Sequence, residues 1–114
     1  MSWNLFIDDE RWPKDATWAP HIALHDEWVI ARNWEEVRGL IHNLGLPDTI
    51  SFDHDLGENE PTGDRILSDM IEAFLDGNED YKDLTLASVF VHSQNPVGAH
   101  NISKRWENFC RHWA

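Results

Sequence analysis

The sequence has a single cysteine, Cys110, so no intrachain disulfide is possible. A reducing compartment fits this composition best, and we therefore expect a cytoplasmic protein. Its first ten residues, MSWNLFIDDE, contain no basic residue, and every apolar segment is shorter than the roughly 20 residues of a membrane span. We expect neither a targeting signal nor a membrane interaction.

Positive charge is also scarce, because nine Lys and Arg residues stand against 21 Asp and Glu, for a net charge of −12. Duplex nucleic acid is a polyanion that the field of such a protein repels, which argues against nonspecific binding to it. The imbalance lies in residues 1–83, with 20 acidic and six basic residues, whereas residues 84–114 hold one acidic and three basic residues.

Apolar residues are not scarce, since they make up 41% of the 114 residues and include seven tryptophans. Disordered chains lack the apolar surface that a core needs, so this chain is expected to fold. Its length suits one domain covering residues 1–114, and we find no linker, internal repeat or low-complexity tract.

Four runs rich in β-forming residues predict strands at 3–8, 28–32, 49–53 and 87–92. Helical spacing of apolar residues predicts three helices: 34–44, one from about Thr62 to Gly77, and one that begins at Asn95 and Pro96. This alternation indicates an α/β fold with a mostly parallel sheet and helices on its faces. The long segment 9–27 has no helical period and is either a lid or a degenerate helix.

Polar or ionisable residues follow each predicted strand. They are Asp8 and Asp9, Arg32 and Asn33, Asp53, His54 and Asp55, and His92 and Ser93. The carboxyl ends of parallel strands share one edge of the sheet, so these side chains should converge there. A functional cluster is favoured over a merely solvated edge, which would be richer in serine, glycine and lysine. The other histidines, His21 among them, have no comparable position.

Carboxylates that converge repel one another, and a bound divalent cation is the usual reason that such a group is tolerated. Oxygen ligands favour Mg²⁺ or Mn²⁺, although His54 and His92 leave room for a softer metal. The start of the third helix, with Ser93 and Asn95, suits a phosphate group. Arg11 and Arg32 are candidate donors to its oxygens, but Asn95 as a helix cap and Arg32 paired with a nearby glutamate are open alternatives.

Four motifs, LFIDDERWP, SFDHDLG, TG and VHSQNPVGAHNI, resemble those of the cyclic-phosphate processing receiver-like family over nearly the whole chain. The resemblance implies a small flavodoxin-like three-layer sandwich with strand order 2-1-3-4. It also implies activity on cyclic phosphates, either of nucleotides or at RNA ends. Asp8 and Asp9 resemble the acidic metal-binding pair of receivers, Asp53 their phosphoacceptor and Ser93 their hydroxyl residue.

Receivers have a fifth strand that ends in a lysine, and no such strand is expected after the third predicted helix of this sequence, which weakens a phosphorelay role. The preferred interpretation is a metal-dependent phosphoesterase in which Asp8, Asp9 and Asp53 hold the cation. His54 or His92 would act as general acid or base, with Asp55 orienting one imidazole. The rival hypotheses are a phosphoacceptor signalling module and a non-enzymatic acidic protein that mimics nucleic acid.

Overall fold

A computed structural model, which describes residues 2–113, contains a four-stranded sheet in the order β2-β1-β3-β4. The strands are β1 (Asn4–Ile7), β2 (Val29–Ala31), β3 (Thr49–Phe52) and β4 (Ser88–Val91). All three neighbouring pairs are parallel. The predicted strands and the strand order implied by the receiver resemblance are confirmed.

Three α-helices follow the last three strands: α1 (Trp34–Leu44), α2 (Gly63–Leu75) and α3 (Pro96–Trp113). Each begins where a polar side chain accepts a backbone N–H: Asn33 from Glu36, Thr62 from Arg65, and Asn95 from Gly98. These caps explain why the helix starts were predictable from the sequence. None of the helices described is long and apolar enough to cross a membrane.

The main core lies between one face of the sheet and all three α-helices. It joins strand residues such as Leu5, Ile50 and Phe52 to helix residues such as Ile41 and Ile102. Because side chains alternate along a strand, the neighbouring residues point to the opposite face.

The opposite face carries no α-helix and is covered by the crossover between β1 and β2. This crossover contains two 3₁₀ helices, Pro13–Asp15 and Pro20–Leu24. Phe6 is buried with Ala16 and Ala19 in a second, smaller core on this side. The segment 9–27 is therefore a thin third layer of short helical turns, which explains why it shows no α-helical period.

The sheet's hydrogen-bond ladder continues into the polar segments that follow the strands. The N–H groups of Asp8, Asp53 and His92 donate to carbonyl groups of the neighbouring strands at 3.1, 2.9 and 2.9 Å. These backbone hydrogen bonds thus fix the position of the first residue of each polar segment at the carboxyl edge of the sheet, next to the core.

Candidate functional site at the carboxyl edge of the sheet

Two buried carboxylates, those of Asp8 and Asp53, lie at the ends of the adjacent strands β1 and β3. Together with His92 they offer three ligand atoms that all lie within 4.8 Å of one another. The Arg11 Nη1 atom is 3.5 Å from Asp8 Oδ2 and 3.6 Å from Asp53 Oδ2. The edge of the sheet therefore brings two buried acids and one partly exposed guanidinium together.

The two carboxyl groups differ in pKa. Burial acts to raise the pKa of Asp8, but hydrogen bonds from His92 and from the N–H groups of Arg11 and Glu10 outweigh it and lower that pKa to about 2. Burial raises the pKa of Asp53, and the negative charge of Asp8 raises it further. His92, the His54 N–H and Arg11 oppose this rise only in part.

The loop after β1 is ordered by Asp8 and Arg32. Asp8 Oδ1 accepts the N–H groups of Glu10 and Arg11 at 3.0 and 2.9 Å. Arg32 Nη1 donates to the carbonyl oxygens of Asp8 and Arg11 at 3.1 and 2.7 Å, while its guanidinium lies over the ring of Trp12. Arg32 therefore supports the loop that carries Arg11, and it does not line the neighbouring cleft.

The cleft itself has a volume of about 290 Å³ and opens above the acid pair. Its lining consists of Asp9, Glu10, Arg11, Asp53, Asp55, Gly57, Ser93, Gln94 and Asn95. Six of the ten residues that the sequence singles out as site candidates are thus brought to one cleft. The cleft lining does not include Asp8, Arg32, His54 or His92.

The start of α3 forms one wall of the cleft. Ser93 Oγ accepts the Asn95 N–H at 3.0 Å, and Asn95 Oδ1 accepts the Gly98 N–H at 3.0 Å, so both side chains shape this helix start. Asn95 Nδ2 also donates to Asp55 Oδ2 at 3.4 Å. Asn95 therefore acts as a cap and links α3 to the loop after β3.

His54 packs closely against α3 because Gly98 has no side chain. A Cβ atom at this position would collide with the imidazole ring. The His54 Nδ1 atom lies 3.0 Å from Asp55 Oδ1, and 18% of the His54 side chain is exposed. Asp55 thus contacts one ring nitrogen of His54.

His92 is fully buried, in contrast to His54. Its Nε2 atom lies 3.0 Å from Asp8 Oδ2 and its Nδ1 atom lies 2.7 Å from Ser51 Oγ, while the ring stacks on Phe6 at 4.2 Å. Both ring nitrogens are therefore engaged inside the protein, on the side of the sheet that the crossover covers.

Sequence reasoning missed His21, whose Nε2 atom lies 2.7 Å from Ser51 Oγ. The sequence feature that could have indicated this contact is the polar residue at every second position of the otherwise apolar strand β3. These residues, Thr49 and Ser51, point to the crossover side. His25 and His21, four residues apart, contact Thr49 and Ser51 respectively.

Comparison with protein families gives a match to the cyclic-phosphate processing receiver domain over residues 3–108. The chain belongs to the cyclic-phosphate processing receiver family. Neither curated proteins nor solved structures gave a match.

A metal site is compatible with the donors that this family member places at the edge of the sheet. Asp8 and Asp53 supply hard oxygen ligands, and burial followed by the charge of Asp8 raises the pKa of Asp53, which a nearby cation would oppose. Asp9 lines the cleft but is not part of the three-residue group. The buried Asp8, Asp53 and His92 could therefore bind a metal, as in receiver domains.

Proposed function

We propose that the chain is a phosphoesterase that hydrolyses a cyclic phosphate with the aid of Mg²⁺ or Mn²⁺. The observation that carries this proposal is the burial of the neighbouring Asp8 and Asp53 carboxylates, both in contact with Arg11, where Asp53 and Arg11 line a cleft. Asp8 and Asp53 would hold the cation, and Asp9 on the cleft lining would complete its acidic surroundings. The substrate would be a small nucleotide or an RNA end.

The chain's own residues supply a place for the phosphate group. Arg11 has its Nη2 atom 3.4 Å from Gln94 Oε1, so its guanidinium spans the cleft from the acid pair to the segment before α3. Ser93, with its hydroxyl group, and the positive end of the α3 dipole border the same space. When bound, a divalent cation would polarise a phosphoryl oxygen and lower the pKa of a water molecule.

Proton transfer is assigned to His54 and Asp55 in this proposal. Hydrolysis forms a bond from water oxygen to phosphorus and breaks one ester P–O bond, so the water loses a proton and the leaving oxygen gains one. An imidazole is a common general acid or base, and the His54 Nδ1 atom lies 3.0 Å from Asp55 Oδ1. The buried His92 would instead position Asp8, since both its ring nitrogens are engaged.

The two rival functions are less compatible with these contacts. A receiver that signals uses a lysine beside its phosphoacceptor, whereas Arg11 is the residue whose cation contacts Asp53 within the described chain. A nucleic-acid mimic displays its acids on an exposed face, but Asp8 and Asp53 are buried. Their burial favours a site that handles a small ligand.

The direct test is an assay of 2′,3′-cyclic, 3′,5′-cyclic and linear phosphodiesters with Mg²⁺, with Mn²⁺ and with chelator. We expect metal-dependent cleavage of at least one cyclic substrate. Asp53→Asn should lower kcat by roughly 10² or more, because it removes a ligand of the cation, and electrostatic stabilisation of a transferring phosphoryl group is commonly worth that much. The exposed Asp48 provides the matched control, Asp48→Asn, which should retain wild-type activity.

Two results would contradict the proposal. One is the absence of cleavage of every cyclic substrate by a folded protein in either metal. The other is cleavage that persists unchanged in Asp53→Asn, which would indicate a contaminating enzyme. Stable incorporation of a phosphoryl group at Asp53 from a small phosphodonor, without hydrolysis of any ester, would support the signalling alternative.

A further inference from the structure

Arg11 covers the carboxylate oxygens that a divalent cation would bind. Asp8 Oδ1 accepts two backbone N–H groups, and Asp53 Oδ1 accepts that of His54. The Oδ2 atoms of the two acids instead contact Arg11 Nη1, at 3.5 and 3.6 Å. A cation bound to both Oδ2 atoms would lie next to this nitrogen, and positive charges at such short range repel one another. Arg11 and a metal ion therefore compete for the same pair of oxygens.

These contacts of Arg11 are long for an ion pair. Charge-assisted N–H···O hydrogen bonds usually measure about 2.7–2.9 Å. Arg105, for comparison, contacts both oxygens of Asp64 through two nitrogens, at 2.8 and 3.2 Å. Burial and the charge of Asp8 raise the pKa of Asp53 in spite of Arg11. The guanidinium thus neutralises the acid pair only in part, and a divalent ion, with twice the charge, would neutralise it more fully.

Arg11 also has contacts that a metal ion at the acid pair would not remove. Its Nη2 atom lies 3.4 Å from Gln94 Oε1, and its guanidinium carbon lies 5.2 Å from the centre of the Trp18 ring. Trp18 is itself anchored, because its Nε1 atom donates to the His92 carbonyl oxygen at 2.8 Å. The Arg11 side chain is 29% exposed and lines the cleft, so it can move into the cleft without displacing buried groups.

We propose that Arg11 is the counter-ion of the acid pair in the metal-free protein, and that a divalent cation displaces its guanidinium toward Gln94 and Trp18, where it binds the phosphate group. This inference rests on the proposed function and adds an order of binding to it. In the metal-free protein the carboxylates repel an anion at Arg11, so the metal must bind first. By linkage, phosphate then strengthens metal binding by the same factor by which the metal strengthens phosphate binding.

Mn²⁺ affinity, measured by EPR of the free ion, is the first test. Arg11→Met keeps a long side chain but removes the competing charge, so we expect it to bind Mn²⁺ about 10-fold more tightly than wild type. Arg38→Met is the matched control. Arg38 is exposed and also lies over an indole ring, 5.5 Å from the centre of Trp34, but it belongs to α1 and does not line the cleft. This control should bind Mn²⁺ as wild type does.

The displacement itself is measured by ¹⁵N NMR of the Arg11 guanidinium in wild type during a Mg²⁺ titration. We expect the Arg11 signals to shift and to saturate together with Mg²⁺ binding. In Asp53→Asn, which lacks one of the two carboxylates, the same signals should not respond to Mg²⁺. Because this titration needs no change at Arg11, it decides the inference even if Arg11→Met does not fold without metal.

Inorganic phosphate is the third probe, and it reports on the released guanidinium. In saturating Mg²⁺, we expect Arg11→Met to bind phosphate roughly 10-fold more weakly than Arg38→Met does, because it has lost a charged hydrogen-bond donor. In chelator, neither variant should bind phosphate.

Three results would overturn the inference. They are Mn²⁺ binding by Arg11→Met that is no tighter than that of wild type, Arg11 signals that do not change at saturating Mg²⁺, and equal phosphate affinities of the two variants in Mg²⁺. If wild type binds the metal and releases Arg11 but cleaves no cyclic phosphate, the inference stands and the proposed function alone fails. If neither wild type nor Arg11→Met binds either metal, both fail.

Discussion

The buried carboxylate of Asp53 destabilises the folded chain. Its carboxylate is buried next to that of Asp8, and burial together with this like charge raises its pKa. The Asp8 carboxylate, in contrast, is stabilised by His92 and by two backbone N–H groups. A buried acid with a raised pKa, next to an acid whose ionised form is stabilised by hydrogen bonds, is typical of a functional site.

The pH dependence of stability should report on His21. Burial, followed by the charge of His92, lowers the pKa of His21 from 6.5 to about 4. The unfolded chain then binds a proton that the folded chain does not bind, so stability is complete above pH 6.5 and falls as the pH drops toward about 4. The loss from this residue should reach at most about 3 kcal/mol.

Urea unfolding of wild type and His21→Gln at several pH values between 7 and 4 measures this effect. The variant cannot take up the proton and should lose stability less steeply over that window. Identical pH profiles for the two proteins would show that His21 titrates alike in the folded and unfolded chains.

Among the helices and strands, α3 contributes most to positioning the candidate site, because its first turn packs directly against it. Asn95 caps the helix and contacts Asp55, while Gly98 leaves room for the His54 ring. Gly63 has the same role at the start of α2, where a Cβ atom would collide with the Asp53 backbone. Two helix starts are thus packed closely against the loop after β3, which holds that loop in place.

Gly98→Ala should therefore destabilise the protein by roughly 1–3 kcal/mol, as overpacking of a close contact does. It should also reduce the proposed hydrolysis of cyclic phosphates, since His54 must move. Gly39→Ala is the control, because Gly39 lies within α1 and its added methyl group meets only open space. That change should stabilise the helix by roughly 0.5–1 kcal/mol. Equal unfolding free energies for the two variants would contradict the close packing of His54 on α3.

The elements were largely predictable because their signals are local. Caps such as Asn33 and Thr62 and the glycine at position 45 mark helix ends within a few residues. The proximity of Asp8 and Asp53 was predictable because the carboxyl ends of parallel strands lie at the same edge of the sheet. The contact between His21 and Ser51 could not be predicted, since it joins residues 30 positions apart and depends on how an irregular crossover lies on the sheet.

The whole molecule carries a net charge of −12, and this field repels the anionic substrates that we propose. Arg11 is the cation that contacts both buried acids, and a divalent metal ion would add positive charge at the same place. A local cation within a globally acidic protein favours a small phosphate ligand over a long nucleic acid. The metal is therefore central to the proposed activity.

The proposed metal site at the buried acid pair is tested most directly by melting temperatures. We would compare wild type and Asp53→Asn, each with chelator and with millimolar Mg²⁺. In chelator, the variant should melt higher, because it removes a buried repulsion; a gain of about 1 kcal/mol corresponds to roughly 4–8 °C in a domain near this size. Mg²⁺ should raise the melting temperature of wild type by mass action but leave Asp53→Asn unchanged. If Asp53→Asn melts no higher in chelator and responds to Mg²⁺ as wild type does, the buried acid pair is not a metal site.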